Sequence, residues 1–295
     1  MTEIEHKEFE QKSLCPKFDR WVLADSWSAF LANLPIISVV YVGLIIVTVL
    51  STYFDSSLIS GRGMDLSWST TLISYLYDIP LAVLSVFMIS ILMYVVHSTI
   101  LGGKSSWDAL LSEKKKNVKK FSKRFLLMFL AVFGLTMLIQ IVVLLMIFAL
   151  GSKPPAIKLM ITLGAICSLV VCVVVALSVT WPASAVWCED KTWNRALLRG
   201  RKSFWYLVSR HFFILPVFLV MAGILFAVVL PILISKVGNG GVPVELTLGV
   251  RLWGSFLFSL FGGVVFIFWI VAQTVIISRA LLIGEARLPA VETYE

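Results

Sequence analysis

Between Trp187 and Phe213 the chain reads WCEDKTWNRALLRGRKSFWYLVSRHFF, and this stretch collects side chains suited to holding an anion: Arg195, Arg199, Arg201, Lys202 and Arg210, beside Trp193. A guanidinium presents a planar fork of donors that can clamp a phosphate bidentately, whereas a lysine offers a point charge. At 100° per residue, Trp193, Leu197, Gly200, Phe204 and Val208 share one stripe, with Arg195, Arg199 and Lys202 opposite. That pattern suits a helix lying on an anionic membrane surface, with a phosphate headgroup as its ligand. A second basic segment, SSWDALLSEKKKNVKKFSKR, sorts in the same way: Trp107, Leu110, Leu111, Val118 and Phe121 fall opposite Lys116, Lys119, Lys120 and Lys123. Lys114 lands on its apolar face, which places a break near Ser112.

Four further polar residues lie inside apolar stretches: Asp78, His97, Gln140 and Gln273. An ionisable group within a membrane span costs several kcal/mol on insertion scales and is a ligand or proton-site candidate. Asp78, in YLYDIP ahead of the helix-bending Pro80, lies close enough to a span end to reach water or a structural hydrogen bond instead. His97 suits a backbone or headgroup contact, and Gln140 and Gln273 suit hydrogen bonds between helices. No catalytic constellation emerges. The three histidines are scattered, and no HExxH, GxSxG or glycine-rich phosphate loop is present. Four cysteines without a CxxC pair read as reduced, so neither a metal nor a cofactor is expected.

The elements that must position these residues follow from composition. With 59% hydrophobic and 14% charged residues, the chain lies far from the soluble average of roughly a quarter charged. About 20 apolar residues cross a hydrocarbon core of about 30 Å. Six stretches qualify, 33–54, 73–101, 125–150, 158–187, 211–235 and 252–282, so the fold class is an all-α integral membrane protein with six transmembrane helices. Lysine and arginine collect on the non-translocated side of short loops. With both termini inside, 20 of the 25 lie on the inner face, leaving Arg62, Lys153, Lys158, Lys236 and Arg251 outside. No cleavable signal is expected, because the first apolar run starts after some thirty mixed residues and is too long. Residues 1–31 then form an inner tail and an interfacial lead-in bearing Trp21, Trp27 and Phe30, 32–283 the membrane domain and 284–295 a tail.

Three segments look alike: SWSAFL at Ser26, SWDALL at Ser106 and TWNRALL at Thr192. Trp27, Trp107 and Trp193 stand 80 and 86 residues apart, and each motif precedes a span, an outer loop and a returning span. This pattern predicts three parallel helical-hairpin repeats with amphipathic helices on the cytoplasmic face. In the sixth span Ser255, Ser259 and Gly263 recur every four residues, a stripe that permits close helix approach. Pro216 and Pro231 predict bends in the fifth.

The segment WPASAVWCEDKTWNRALLRGRKSFW resembles the region after the fourth span in bacterial six-span inner-membrane proteins of the YciC-like type. It is similar also to the membrane domain ahead of some glycerophosphodiester phosphodiesterases. The likeness covers a proline-containing span end, an apolar-acidic stretch (Ala185 to Asp190) and an alanine-leucine helix start with basic residues (Ala196 to Lys202). It implies a bacterial inner membrane and a fold, and no activity. The expected function is therefore that of a non-enzymatic scaffold, assembly or envelope-homeostasis factor, binding anionic membrane lipids, a protein partner or a second copy of itself. A transporter or channel for a small or lipidic substrate is the alternative, and a membrane-embedded lipid enzyme a third. The net charge of +8 flanks the spans, where topology accounts for it, so nucleic acid is not an expected partner.

Overall fold

The computed structural model describes residues 21–60, 68–104, 106–111, 115–150, 162, 164, 169–187, 192–237 and 248–288. Within them the backbone is helical, with no strand among the described residues. The helices are α1 (Val22–Ala32), α2 (Leu34–Ser60), α3 (Trp68–Gly102), α4 (Ser106–Leu111), α5 (Lys115–Leu150), α6 (Thr180–Trp187), α7 (Trp193–Val237) and α8 (Leu248–Ala286). Residues 169–178 form a helical lead into α6. Six stretches are long and apolar enough to cross a membrane: Leu34–Phe54, Tyr77–Gly102, Asn117–Ile139, Leu169–Val186, Trp193–Ile224 and Leu252–Ala286. Each overlaps one of the six apolar runs of the sequence. In hydrocarbon every backbone amide must be satisfied within its own segment, and uninterrupted helices achieve this.

Two boundaries depart from the sequence reading. The basic, tryptophan-bearing segment is not a separate surface helix, because α7 continues without interruption from Trp193 through Pro216 to Val237, 45 residues. The helix of the last span continues past 282. α8 runs on to Ala286, so Gly284 and Glu285 belong to its final turn rather than to a tail.

The chain divides into two compact units. The first comprises residues 1–112 and 210–275. In it α2 packs on α3, with Gly43 seated over the Met88 thioether, and on α8, where the Tyr41 hydroxyl donates to the carbonyl of Leu260 and the Tyr41 ring lies against Gly263. The small residue at 263 lets the ring approach the α8 backbone, as the serine-glycine stripe suggests. Phe268 sits among Trp27, Phe30 and Phe218, at centroid distances of 6.0, 5.8 and 5.9 Å. Such offset and edge-on pairs add to area burial.

A single asparagine ties the amino-terminal part of this unit together. Asn33 is fully buried at the joint between α1 and α2. Its Oδ1 accepts from Thr99 Oγ1 at 3.0 Å and from the Ser106 backbone N–H at 2.8 Å, while its Nδ2 donates to the Ala29 carbonyl at 2.8 Å. Ser106 also donates through Oγ to the Ala32 carbonyl at 3.2 Å. It opens α4 with φ of 50°, a left-handed conformation rare outside glycine, so these bonds hold a strained entry in place.

The second unit comprises residues 113–209 and 276–295. Its buried side chains are mostly small or polar: Ser178, Thr180, Ala183, Ser184, Ala185, Ala196, Ser203, Ser278 and Ala280. Small side chains allow backbones to approach closely. At Gly200 an added Cβ would run into the backbone of Leu177, so α7 lies directly on residues 169–178. Arg124 of α5 donates to Ser184 Oγ at 3.0 Å and lies 5.4 Å from the centre of the Trp181 ring, fastening α5 to α6.

The three tryptophan motifs share a burial pattern. Trp27, Trp107 and Trp193 are 55%, 47% and 41% exposed, while Ala29, Ala109 and Ala196 are buried. In each motif the alanine is buried and the indole is about half exposed.

Candidate functional site

The anion-binding candidates concentrate on the first five turns of α7, and the tertiary structure sorts them differently from the helical wheel. The buried residues here are Ala196, Arg199, Gly200, Ser203 and Leu207. At 100° per residue their centre lies about a quarter turn from the Trp193–Phe204 stripe, toward the basic side. Small residues at 196, 200 and 203 explain the choice, because only there can the helix lie flat against its neighbours. Arg199 shares that stripe and is carried inside, with no exposed surface.

A buried guanidinium needs a counter-charge, and Glu285 of α8 supplies it. The carboxylate accepts from Arg199 Nη1 through Oε1 and from Arg195 Nη2 through Oε2 at 3.2 Å. Its neighbour explains how it gets there. At Gly284 an added Cβ would stand 2.9–3.0 Å from the Arg199 backbone oxygen and Cα, so glycine lets α8 close on α7 and sets the next residue against both arginines. Arg287 adds a further tie, donating through Nη1 to the Lys202 carbonyl at 2.9 Å. Two expected lipid-facing arginines are therefore engaged with the protein's own carboxylate. Arg199 in particular is not a surface group, which corrects the helical-wheel placement.

The remaining candidates divide by position. Arg201 and Lys202 are exposed, as are Lys119, Lys120 and Lys123 on α5, all in the second unit. Arg210 is half-buried and belongs to the first unit. The side chains of Lys116 and Gln140 lie outside the described residues. Trp193 is set edge-on to Trp181, with centroids 4.9 Å apart. The open face of α7 carries Leu198, 47% exposed, and Trp205, 78% exposed, among Arg201 and Lys202.

The described intramembrane candidates Asp78, His97 and Gln273 belong to the first unit. Asp78 is half-buried and accepts a hydrogen bond from Ser51 Oγ at 3.0 Å. One residue along α2, Thr52 Oγ1 meets Ser255 Oγ of α8 at 2.8 Å. Two adjacent hydroxyls of α2 thus bond to two neighbouring helices, and Asp78 joins this hydrogen-bonded seam. His97 is buried on α3 in the first unit. Gln273 is half-buried, and its enclosed Nε2 has no hydrogen-bond partner among the described residues.

Sequence reasoning missed Glu285, Asn33, Ser51 and Thr52. A signal for Glu285 existed, a lone carboxylate in the apolar run ALLIGEA. Nothing in that run indicates which cation it meets. No protein-family model, no curated protein and no solved structure matches this chain. The residues themselves therefore carry the functional reading.

Proposed function

We propose that this chain is a non-enzymatic, multi-pass protein of the bacterial inner membrane that binds anionic lipid headgroups through the basic surface of its second unit, with both termini on the cytoplasmic side. The observation that carries the reading is an imbalance of charge. Lys119, Lys120, Lys123, Arg201, Lys202 and Arg287 are exposed in this unit, while Glu285 is its sole acidic residue among the described ones and is held by two arginines. A cationic surface of this kind attracts anionic lipid at about 1 kcal/mol per basic residue. Trp205, beside Arg201 and Lys202, has the amphipathic ring favoured at the headgroup level.

The test replaces Lys119, Lys120, Lys123, Arg201 and Lys202 with glutamine and counts phosphatidylglycerol co-purifying in mild detergent, by mass spectrometry. Several-fold less anionic lipid on a folded protein supports the reading, and an unchanged lipid complement rejects it. The transport alternative would draw on Asp78 and Gln273. Asp78 already has a hydrogen-bonding partner in Ser51, which favours a structural role for it.

A further inference from the structure

Glu285 sits where an anionic ligand of Arg195 and Arg199 would sit. Two guanidiniums, those of Arg195 and Arg199, hold this one carboxylate. The carboxylate belongs to the last turn of α8, which ends at Ala286. A negative charge there meets the negative end of the helix dipole and is disfavoured by its own helix. The side chain is 26% exposed, against 0% for Arg199 and 15% for Arg195. The acidic partner is thus the reachable member of the cluster. Glu285 is held by two arginines, opposed by its helix and open on one side, as a displaceable counter-ion would be.

We propose that Glu285 is an internal competitor for an anion site formed by Arg195 and Arg199, and that the phosphate of an anionic headgroup displaces it. A phosphate diester carries the same single charge as the carboxylate and matches the forked donors equally well. With Glu285 in place, the end of α8 is docked by Gly284 against Arg199 and by Arg287 on Lys202. Displacement releases that end, coupling lipid occupancy to the position of residues 284–288. The proposal rests on the lipid-binding reading above and adds a switch to it.

The experiment uses the full chain in a neutral detergent, wild type and Glu285→Gln, titrated with short-chain phosphatidylglycerol, short-chain phosphatidylcholine or inorganic phosphate and followed by native mass spectrometry. Removing the competing charge should tighten phosphatidylglycerol binding about tenfold, with no change for phosphatidylcholine. Binding of phosphatidylglycerol to the wild type with equal or weaker binding to the variant overturns the switch and leaves the lipid reading standing. Equal binding of both lipids to both proteins overturns the reading and the switch together. Inorganic phosphate that competes as well as the lipid supports displacement and assigns the site to the free anion. If the variant does not fold, the wild type decides through amide exchange at residues 282–288. Exchange should quicken with phosphatidylglycerol and not with phosphatidylcholine, and unchanged exchange overturns the proposal.

Discussion

Arg199 and Glu285, 86 residues apart in sequence, form an ion pair in which the cation is wholly buried and the anion is about a quarter exposed. The asymmetry makes the two partners unequal under substitution. Removing Glu285 takes the carboxylate from a wholly buried guanidinium, whereas removing Arg199 leaves a carboxylate that remains partly hydrated and bound to Arg195. Breaking a buried pair by deleting one partner costs about 3–5 kcal/mol. Glu285→Ala should approach that range and Arg199→Met should cost less than half of it, measured by thermal unfolding in one detergent. Equal losses would mean that the guanidinium is hydrated after all.

Asn33 offers a local test of the first unit. Asn33→Leu keeps much of the volume but takes from the Ser106 N–H its acceptor, while the Thr99 hydroxyl keeps the Val95 and Lys104 carbonyls. A buried polar group left unsatisfied costs about 1–3 kcal/mol. Besides the lower midpoint, limited proteolysis should cut the variant faster around residues 103–111, where the φ of Ser106 is no longer held.

Gly200 lies so close to the Leu177 backbone that even one methyl group cannot be placed without moving a helix. Gly200→Ala would gain helix propensity of about 1 kcal/mol on an open surface. Overpacking costs about 1–3 kcal/mol here and should win, so the variant is expected to be destabilised. Gly134, with nothing within 4 Å of the position a Cβ would take, is the control, and Gly134→Ala should be neutral or stabilising.

Asp78 separates a structural seam from a transport site. Asp78→Asn keeps an oxygen to accept from Ser51, so stability should change by less than about 1 kcal/mol, whereas Asp78→Leu should cost about 1–3 kcal/mol. Solute flux in proteoliposomes that disappears with Asp78→Asn, in a stable protein, would revive the transport alternative.

Trp205 and Trp181 should report different surroundings. Brominated lipid should strongly quench a variant keeping only Trp205, which is 78% exposed, and quench far less one keeping only Trp181, whose indole nitrogen is enclosed. Equal quenching would contradict this packing. The proposed orientation has its own check: a reporter active only outside the cytoplasm should give no signal when fused after residue 115 or 200.

Much of the architecture is legible in the sequence, because apolar length is a local property. Each of the six runs needed only its own composition to be read as a span. The break expected near Ser112 falls on residues 112–114, outside the described residues, and Trp107, Leu111 and Trp193, which the helical wheel sets on apolar stripes, are exposed. The serine-glycine stripe of the last span also proved informative, since Ser255 and Gly263 make close contacts with Thr52 and Tyr41.

Sequence alone could not say which face of Trp193–Arg210 turns inward. A helical wheel ranks faces by hydrophobicity and so sets Arg199 outside. In the folded chain, the distance of closest approach decides instead: Ala196, Gly200 and Ser203 let the helix settle on Leu177, Gly284 lets α8 settle on Arg199, and Glu285 then neutralises the arginine carried in. Composition and charge distribution determined the number of apolar spans and where the basic residues cluster. Which of those residues remain open to a ligand depended on a carboxylate brought in from the far end of the chain, and only tertiary packing could bring it there.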